Sequence, residues 1–275
     1  MRRTDLQKHL FLFTQGVEAP PYDFVPYQYG CYSFSAEADR APMVRAGLLH
    51  DTDGWEKKTA TRYGDKLQPD DLERLRAHVQ VYGTLRGEDL VRAVYTEYPY
   101  YATRSRIASD ILSAEEMDAV EASRPERGDG ALLSLGYEGK SVEAYFNLLL
   151  QNGVTVLCDV RRNPVSRKYG FSKSTLGGLA GKLGVRYIHV PELGIASEKR
   201  QCLDEPGARE ALFTAYEQDV LPHQSEALGR LANLVEDGER VALTCFEAHV
   251  GDCHRSRVSK AIAEREGWNA PVEHL

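Results

Sequence analysis

The chain has 275 residues, enough for one large or two ordinary domains, and its 42% hydrophobic and 27% charged residues are those of a globular protein. A formal charge of −7 excludes a generally basic, nucleic-acid-coating protein, although a local basic patch on an acidic chain can still hold phosphates. No apolar run approaches the ~20 residues of a membrane span. Polar Asp5, Gln7, Lys8 and His9 interrupt the N-terminal MRRTDLQKHLFLF, so no signal-peptide core forms, and a cytoplasmic location without a membrane partner is expected.

In chain order, Leu6, Leu10, Phe11 and Phe13 fall close to helical spacing behind a candidate cap at Thr4. The aromatic segment YDFVPYQYGCYSF (22–34), broken by Pro26 and Gly30, reads as a packed turn. Residues 35–47 predict a second helix interrupted near Pro42, and residues 48–61 a short hairpin. Helices over 69–81 and 86–95 follow. Helix, turn, helix and hairpin is the order of a winged-helix module. Basic Arg40, Arg45, Lys57, Lys58 and Arg62 would let such a module contact DNA.

The residues Tyr22, Phe24, Pro26, Tyr27, Tyr29, Gly30, Tyr32 and Ser33 form a Tyr-x-Phe-x-Pro-Tyr-x-Tyr-Gly-x-Tyr-Ser signature, and VYTEYPYYATRS comes later. On these the first half resembles small winged-helix-type modules of bacterial regulators and antitoxin-like proteins. The resemblance implies an aromatic core clamp or a ligand-binding aromatic site. Residues 109–129, helical in the middle and ending in Pro125, Gly128 and Gly130, read as the linker. Domains over 1–125 and 130–275 are expected.

Beyond Gly130 strands and helices alternate. Residues 131–137, 154–160, 185–190, 240–245 and 272–275 predict strands. Between them lie a helix capped by Ser141 and ended by Gly153, and helical stretches over 174–183, 208–235 and 255–265. The pattern predicts a Rossmann-like α/β fold: a parallel sheet with helices on both faces, preceded by the smaller, mostly helical winged-helix-like domain. Such sheets bind ligands at the carboxyl ends of their strands.

Those ends carry Tyr137; Asp159, Arg161, Arg162, Ser166 and Arg167; and Cys245 and Glu247, followed by Cys253, His254 and Arg255 at a helix start. Asp159 and an arginine would either form a structural pair or present a guanidinium fork to a phosphate or carboxylate. Adjacent Arg161 and Arg162 cannot face the same way, so one is expected in solvent. The helix start beyond Cys253 favours anions and lowers a thiol pKa. A Cys-x5-Arg phosphatase loop is excluded, because the sixth residue after Cys245 is Gly251 and after Cys253 is Ser259. Cys245, His249, Cys253 and His254 are soft zinc ligands, yet Cys-x7-Cys-His lacks a short knuckle, so no metal or other cofactor is expected. The five cysteines, odd in number, argue against a disulfide framework, and Cys31, Cys158 and Cys202 read as inert packing.

Gly136 and Tyr137; Asp159, Val160, Arg161, Pro164 and Ser166; Phe171 and Leu176; Tyr187, His189, Pro191, Leu193 and Gly194; and Cys245, Glu247, Cys253, His254 and Arg255 appear in one order. On these motifs the second half resembles the family of domain of unknown function 488. His249, inserted between Glu247 and Cys253, departs from the pattern. The residues themselves suggest an enzyme acting on a phosphate-bearing nucleotide or nucleic acid. Asp159, Glu247, Cys245, Cys253 and Tyr137 would be its catalytic groups, and Arg161, Arg162, Ser166, His254 and Arg255 its substrate-binding groups. The alternatives are a non-enzymatic regulator, in which the α/β half senses an anion and the first half binds DNA or a protein, and a thiol-redox or metal sensor.

Overall fold

A computed structural model describes residues 1–196 and 207–275. Cys202 lies outside the described residues. By its internal contacts the chain divides into two units, Met1–Arg124 and Pro125–Leu275.

In the first unit, α1 (Arg3–Thr14) starts one residue ahead of the expected cap, and no side chain caps it. The aromatic segment is a two-stranded antiparallel hairpin, β1 (Val25–Tyr27) and β2 (Gly30–Tyr32), rather than a turn. Aromatic side chains suit a pleated, half-buried surface, and Tyr27 meets Tyr32 at 5.3 Å between ring centroids. Helix α2 (Phe34–Arg45) is capped by Ser33 and continues through Pro42 near its exposed end, where one missing amide hydrogen bond is tolerated. The hairpin expected over 48–61 reduces to one isolated bridge, Leu49 to Lys57. The two-stranded sheet therefore precedes the second helix instead of following it. Helices α3 (Pro69–Tyr82), α4 (Gly87–Glu97), α5 (Ala108–Ile111) and α6 (Ala114–Ala122) complete the unit. Phe11, Phe24, Leu90, Val94 and Tyr95 lie in its core, and Val120 of α6 joins them, so the segment read as a linker is largely part of this unit.

Among the described residues the second unit holds five parallel strands: β3 (Ala131–Gly136), β4 (Val156–Asp159), β5 (Arg186–His189), β6 (Arg240–Cys245) and β7 (Val272–His274). Their order is β5-β4-β6-β3-β7, so β6 is inserted between β3 and β4. Every residue of β3 and β4 is buried, which demands cover on both faces. The helices are α7 (Val142–Gln151), α8 (Lys173–Lys182), α9 (Ala208–Asp219), α10 (Ser225–Glu236) and α11 (Arg255–Ala263). One helix expected over 208–235 is split into α9 and α10 by a 3-10 turn, Leu221–Gln224, that begins with Leu221 and Pro222. Leu228 and Leu231 of α10 and Val258 and Ile262 of α11 pack with Cys158 and Leu243 on one face. Tyr187 faces the other side of the sheet, where α8 packs so closely that a Cβ on Gly177 would lie 3.1 Å from the Tyr187 ring. The second unit is thus a Rossmann-like α/β domain.

Candidate functional site

Parallel register brings the strand ends level. Gly136 pairs with Cys245, and Asp159 pairs with Thr244 of β6 and His189 of β5. In β4 and β5, Leu157 pairs with Tyr187, and Asp159, two residues on from Leu157, projects to the same face as Tyr187. Tyr187 Oη accordingly donates to Asp159 Oδ2 at 2.7 Å. Cys245, one residue beyond Thr244, projects to the opposite face, toward α11.

Asp159 is fully buried, and Arg161 supplies its counter-charge. Arg161 Nε donates to Oδ1 at 2.8 Å, Nη2 to Oδ2 at 2.6 Å, and the Arg161 amide to Oδ1 at 3.1 Å. Arg161 Nη1 donates to Tyr137 Oη at 3.0 Å and to the Phe171 carbonyl at 2.9 Å. Four of the five guanidinium N–H groups are therefore committed inside the protein. Burial opposes the Arg161 charge, but the hydrogen bonds and attraction of Asp159 outweigh it and raise its pKa. Burial, followed by the Asp159 charge and hydrogen bond, pushes the Tyr187 hydroxyl far above its ordinary value. Tyr137 is held flat on Phe171, with centroids 4.2 Å apart and planes within 10°. Asp159, Arg161, Tyr137 and Tyr187 form one closed polar network.

Arg255 is equally committed. Its Nε donates to Ser134 Oγ at 3.3 Å, its Nη1 to the Glu247 carbonyl, and its Nη2 to the Ala248 carbonyl at 2.9 Å. Ser134 Oγ in turn meets His274 Nδ1 at 2.8 Å. Arg255 thus clamps the loop leaving β6 onto β3. That loop lies so close that a Cβ on Gly136 would stand 1.8 Å from the Glu247 carbonyl oxygen. Gly194 has the same kind of role: a Cβ there would stand 2.2 Å from the Arg162 amide.

Cys245, Cys253 and His254 are buried together, with their ligand atoms within 4.8 Å of one another. Cys245 Sγ lies 3.6 Å from His254 Nδ1, and Cys253 Sγ lies 3.9 Å from it. His254 Nε2 is 3.1 Å from the Val160 carbonyl, which can only accept, so Nε2 carries a proton, and Nδ1 is turned toward the sulfurs. Glu247 Oε2 accepts from Cys245 Sγ at 3.4 Å. Burial, together with hydrogen bonding to Cys245, pushes the Cys253 thiol well above its ordinary pKa. This runs against the thiol activation expected at a helix start, because desolvation outweighs the helix dipole.

A cleft of about 320 Å³ opens between these groups, lined by Tyr137, Arg162, Ser166, Arg167, Cys245 and Phe246 among others. Arg162 and Arg167 are exposed, unlike Arg161, and Phe246 is 44% exposed while its ring packs edge-on against Tyr137. Ser166 Oγ is used locally, accepting from the Lys168 amide at 3.1 Å. The structure therefore gathers Tyr137, Arg161, Arg162, Ser166 and Cys245 at one cleft, with Asp159 behind Arg161, and Glu247 and His254 behind Cys245. Arg255 acts on the loop rather than lining the cleft. Sequence reasoning gave no site role to Tyr187, to Phe246 or to the carbonyls of Val160 and Phe171. Tyr187 had a signal, its place among the ordered motif residues, but a carbonyl has none because every residue carries one.

The fold and these strand ends define a parallel α/β domain with a buried aspartate–arginine lock beside a thiol–imidazole cluster. Residues 141–262, within the C-terminal half, match the family model described as Domain of unknown function DUF488. No curated protein and no solved structure matches the chain.

Proposed function

We propose that the cleft binds a phosphate-bearing nucleotide or nucleic-acid end and that the α/β domain acts on it as an enzyme. The observation carrying this reading is that exposed Arg162 and Arg167 and the partly exposed Phe246 line one cleft together with Cys245. Guanidinium forks suit phosphate oxygens, and an aromatic ring suits a base. A cleft of about 320 Å³ is at the small end of the range for organic ligands, which favours one nucleotide unit. Asp159 is committed to Arg161 and Tyr187, and Glu247, which accepts from Cys245 behind the cleft, is the carboxylate we assign to acid–base work.

The test is equilibrium dialysis of the full chain against nucleoside monophosphates and a 5′-phosphorylated single-stranded oligonucleotide, with chromatography of the ligand afterwards. Binding that weakens at least tenfold in Arg162→Ala/Arg167→Ala, and turnover lost in Glu247→Gln with binding kept, is expected. Binding without turnover moves the domain to the second class, an anion-sensing regulator. No binding of any phosphate-bearing ligand at low salt overturns both.

A further inference from the structure

The geometry points to a zinc site at Cys245 Sγ, Cys253 Sγ and His254 Nδ1, built where the end of β6 meets the start of α11. Spacing in the sequence argues against a zinc knuckle, because seven residues separate the two cysteines. Folding removes that objection. The turn Val250–Asp252 brings Cys253 back beside Cys245, and all three ligand atoms come within 4.8 Å of one another.

The nitrogen–sulfur separations are close to those a tetrahedral metal requires. Tetrahedral zinc, with bonds of about 2.3 Å to sulfur and about 2.0–2.1 Å to nitrogen, holds sulfur and nitrogen about 3.6 Å apart. The observed distances from His254 Nδ1 are 3.6 Å to Cys245 and 3.9 Å to Cys253. The imidazole is also set in the one tautomer that can ligate through Nδ1, since its Nε2 proton is donated to the Val160 carbonyl at 3.1 Å. A backbone carbonyl holding the distal ring nitrogen is the usual support of a metal-binding histidine. Soft thiolates with one imidazole select zinc over magnesium or calcium. Two thiolates neutralise a dication, so the buried site carries no net charge from its metal and thiolates. Glu247, whose Oε2 is 3.4 Å from Cys245 Sγ, is the carboxylate beside this set. His249 is not part of it: it is exposed and lies 3.9 Å from Asp252.

The experiment is titration of the reduced, chelator-treated full chain with cobalt(II), followed by competition with zinc. One equivalent of cobalt should give a thiolate-to-metal charge-transfer band and the intense visible bands of a tetrahedral ion, and zinc should bleach both. Cys245→Ser and Cys253→Ser, with folding checked by circular dichroism, should lose the charge-transfer band. X-ray absorption of the zinc-loaded wild-type chain keeps the test decisive where a variant fails to fold: two sulfurs and an imidazole in the first shell are expected. A first shell of oxygen and nitrogen only, spectra unchanged in both serine variants, or no cobalt bands in the folded wild type would each overturn the site. These readouts need no phosphate ligand, so they stand or fall apart from the proposed function.

Discussion

Replacing Arg161 by methionine keeps most of the side chain's volume and removes its charge from beside a carboxylate that has no access to solvent. Asp159 would lose the Nε and Nη2 hydrogen bonds at 2.8 and 2.6 Å, and keep the Tyr187 hydroxyl at 2.7 Å and the Arg161 backbone amide at 3.1 Å. Both partners are buried, with side-chain exposures of 7% and 0%, so solvent screening does not discount the pair. Leaving one charge of a buried pair unpartnered costs about 3–5 kcal/mol. At ~1.4 kcal/mol per tenfold, that is roughly two to four decades in the folding equilibrium of the second unit. With a urea slope of ~2 kcal/mol/M, the midpoint should fall by about 2 M. Trp268 packs against the core of this unit and Trp55 lies in the other, so fluorescence in a Trp55→Phe background isolates the transition. Asp159→Leu combined with Arg161→Met removes both charges and should cost far less than the sum of the single changes. A midpoint within 0.3 M of wild type for Arg161→Met, or a double variant that costs the full sum, would refute the lock.

The closeness of the β6 loop predicts that Gly136→Ala lowers the melting temperature of the second unit and shifts the Glu247 loop, since the new Cβ would stand 1.8 Å from a carbonyl oxygen; an unchanged melt would contradict that approach. In the first unit, Arg86 Nη1 donates to His9 Nε2 at 3.0 Å, so the His9 Nδ1 proton faces His78 Nε2 at 3.1 Å and both rings are neutral. Burial and the neighbouring Arg86 lower the His9 pKa, and burial and His9 lower that of His78. Folded-state pKa values below the unfolded ~6.5 mean that the unfolded chain binds more protons as pH falls through that value. Stability of this unit should therefore be full above pH ~6.5 and decline below it. The urea midpoint followed by Trp55 in a Trp268→Phe background should drop between pH 7.5 and 5.5 in wild type, and less in His9→Gln/His78→Gln; equal slopes would count against the pair.

Much of the second unit was legible because its patterns are local. Val142, Tyr145, Phe146 and Leu149 recur at helical spacing and are buried along α7, while consecutive apolar Val156, Leu157 and Cys158 mark a strand covered on both faces. The first unit was less legible. Aromatic residues around Pro26 and Gly30 read as a turn, and pairing across the chain made them a hairpin.

Residue order alone determined that strands alternate with helices after Gly130, that acid, thiol and guanidinium groups stand at strand ends, and that one of two adjacent arginines must leave the interior. Tertiary structure decided which: Arg161 turns in to Asp159, and Arg162 is exposed. It also inserted β6 between β3 and β4, which sets Cys245 level with Gly136 and His254 against the Val160 carbonyl. The physical reason is that strand order, register and the carbonyl partners of Arg161, His254 and Arg255 are long-range properties of the backbone. Every residue offers the same carbonyl, and every residue but proline the same N–H, so the side-chain sequence records that a buried charge needs partners without recording which ones the fold brings to it.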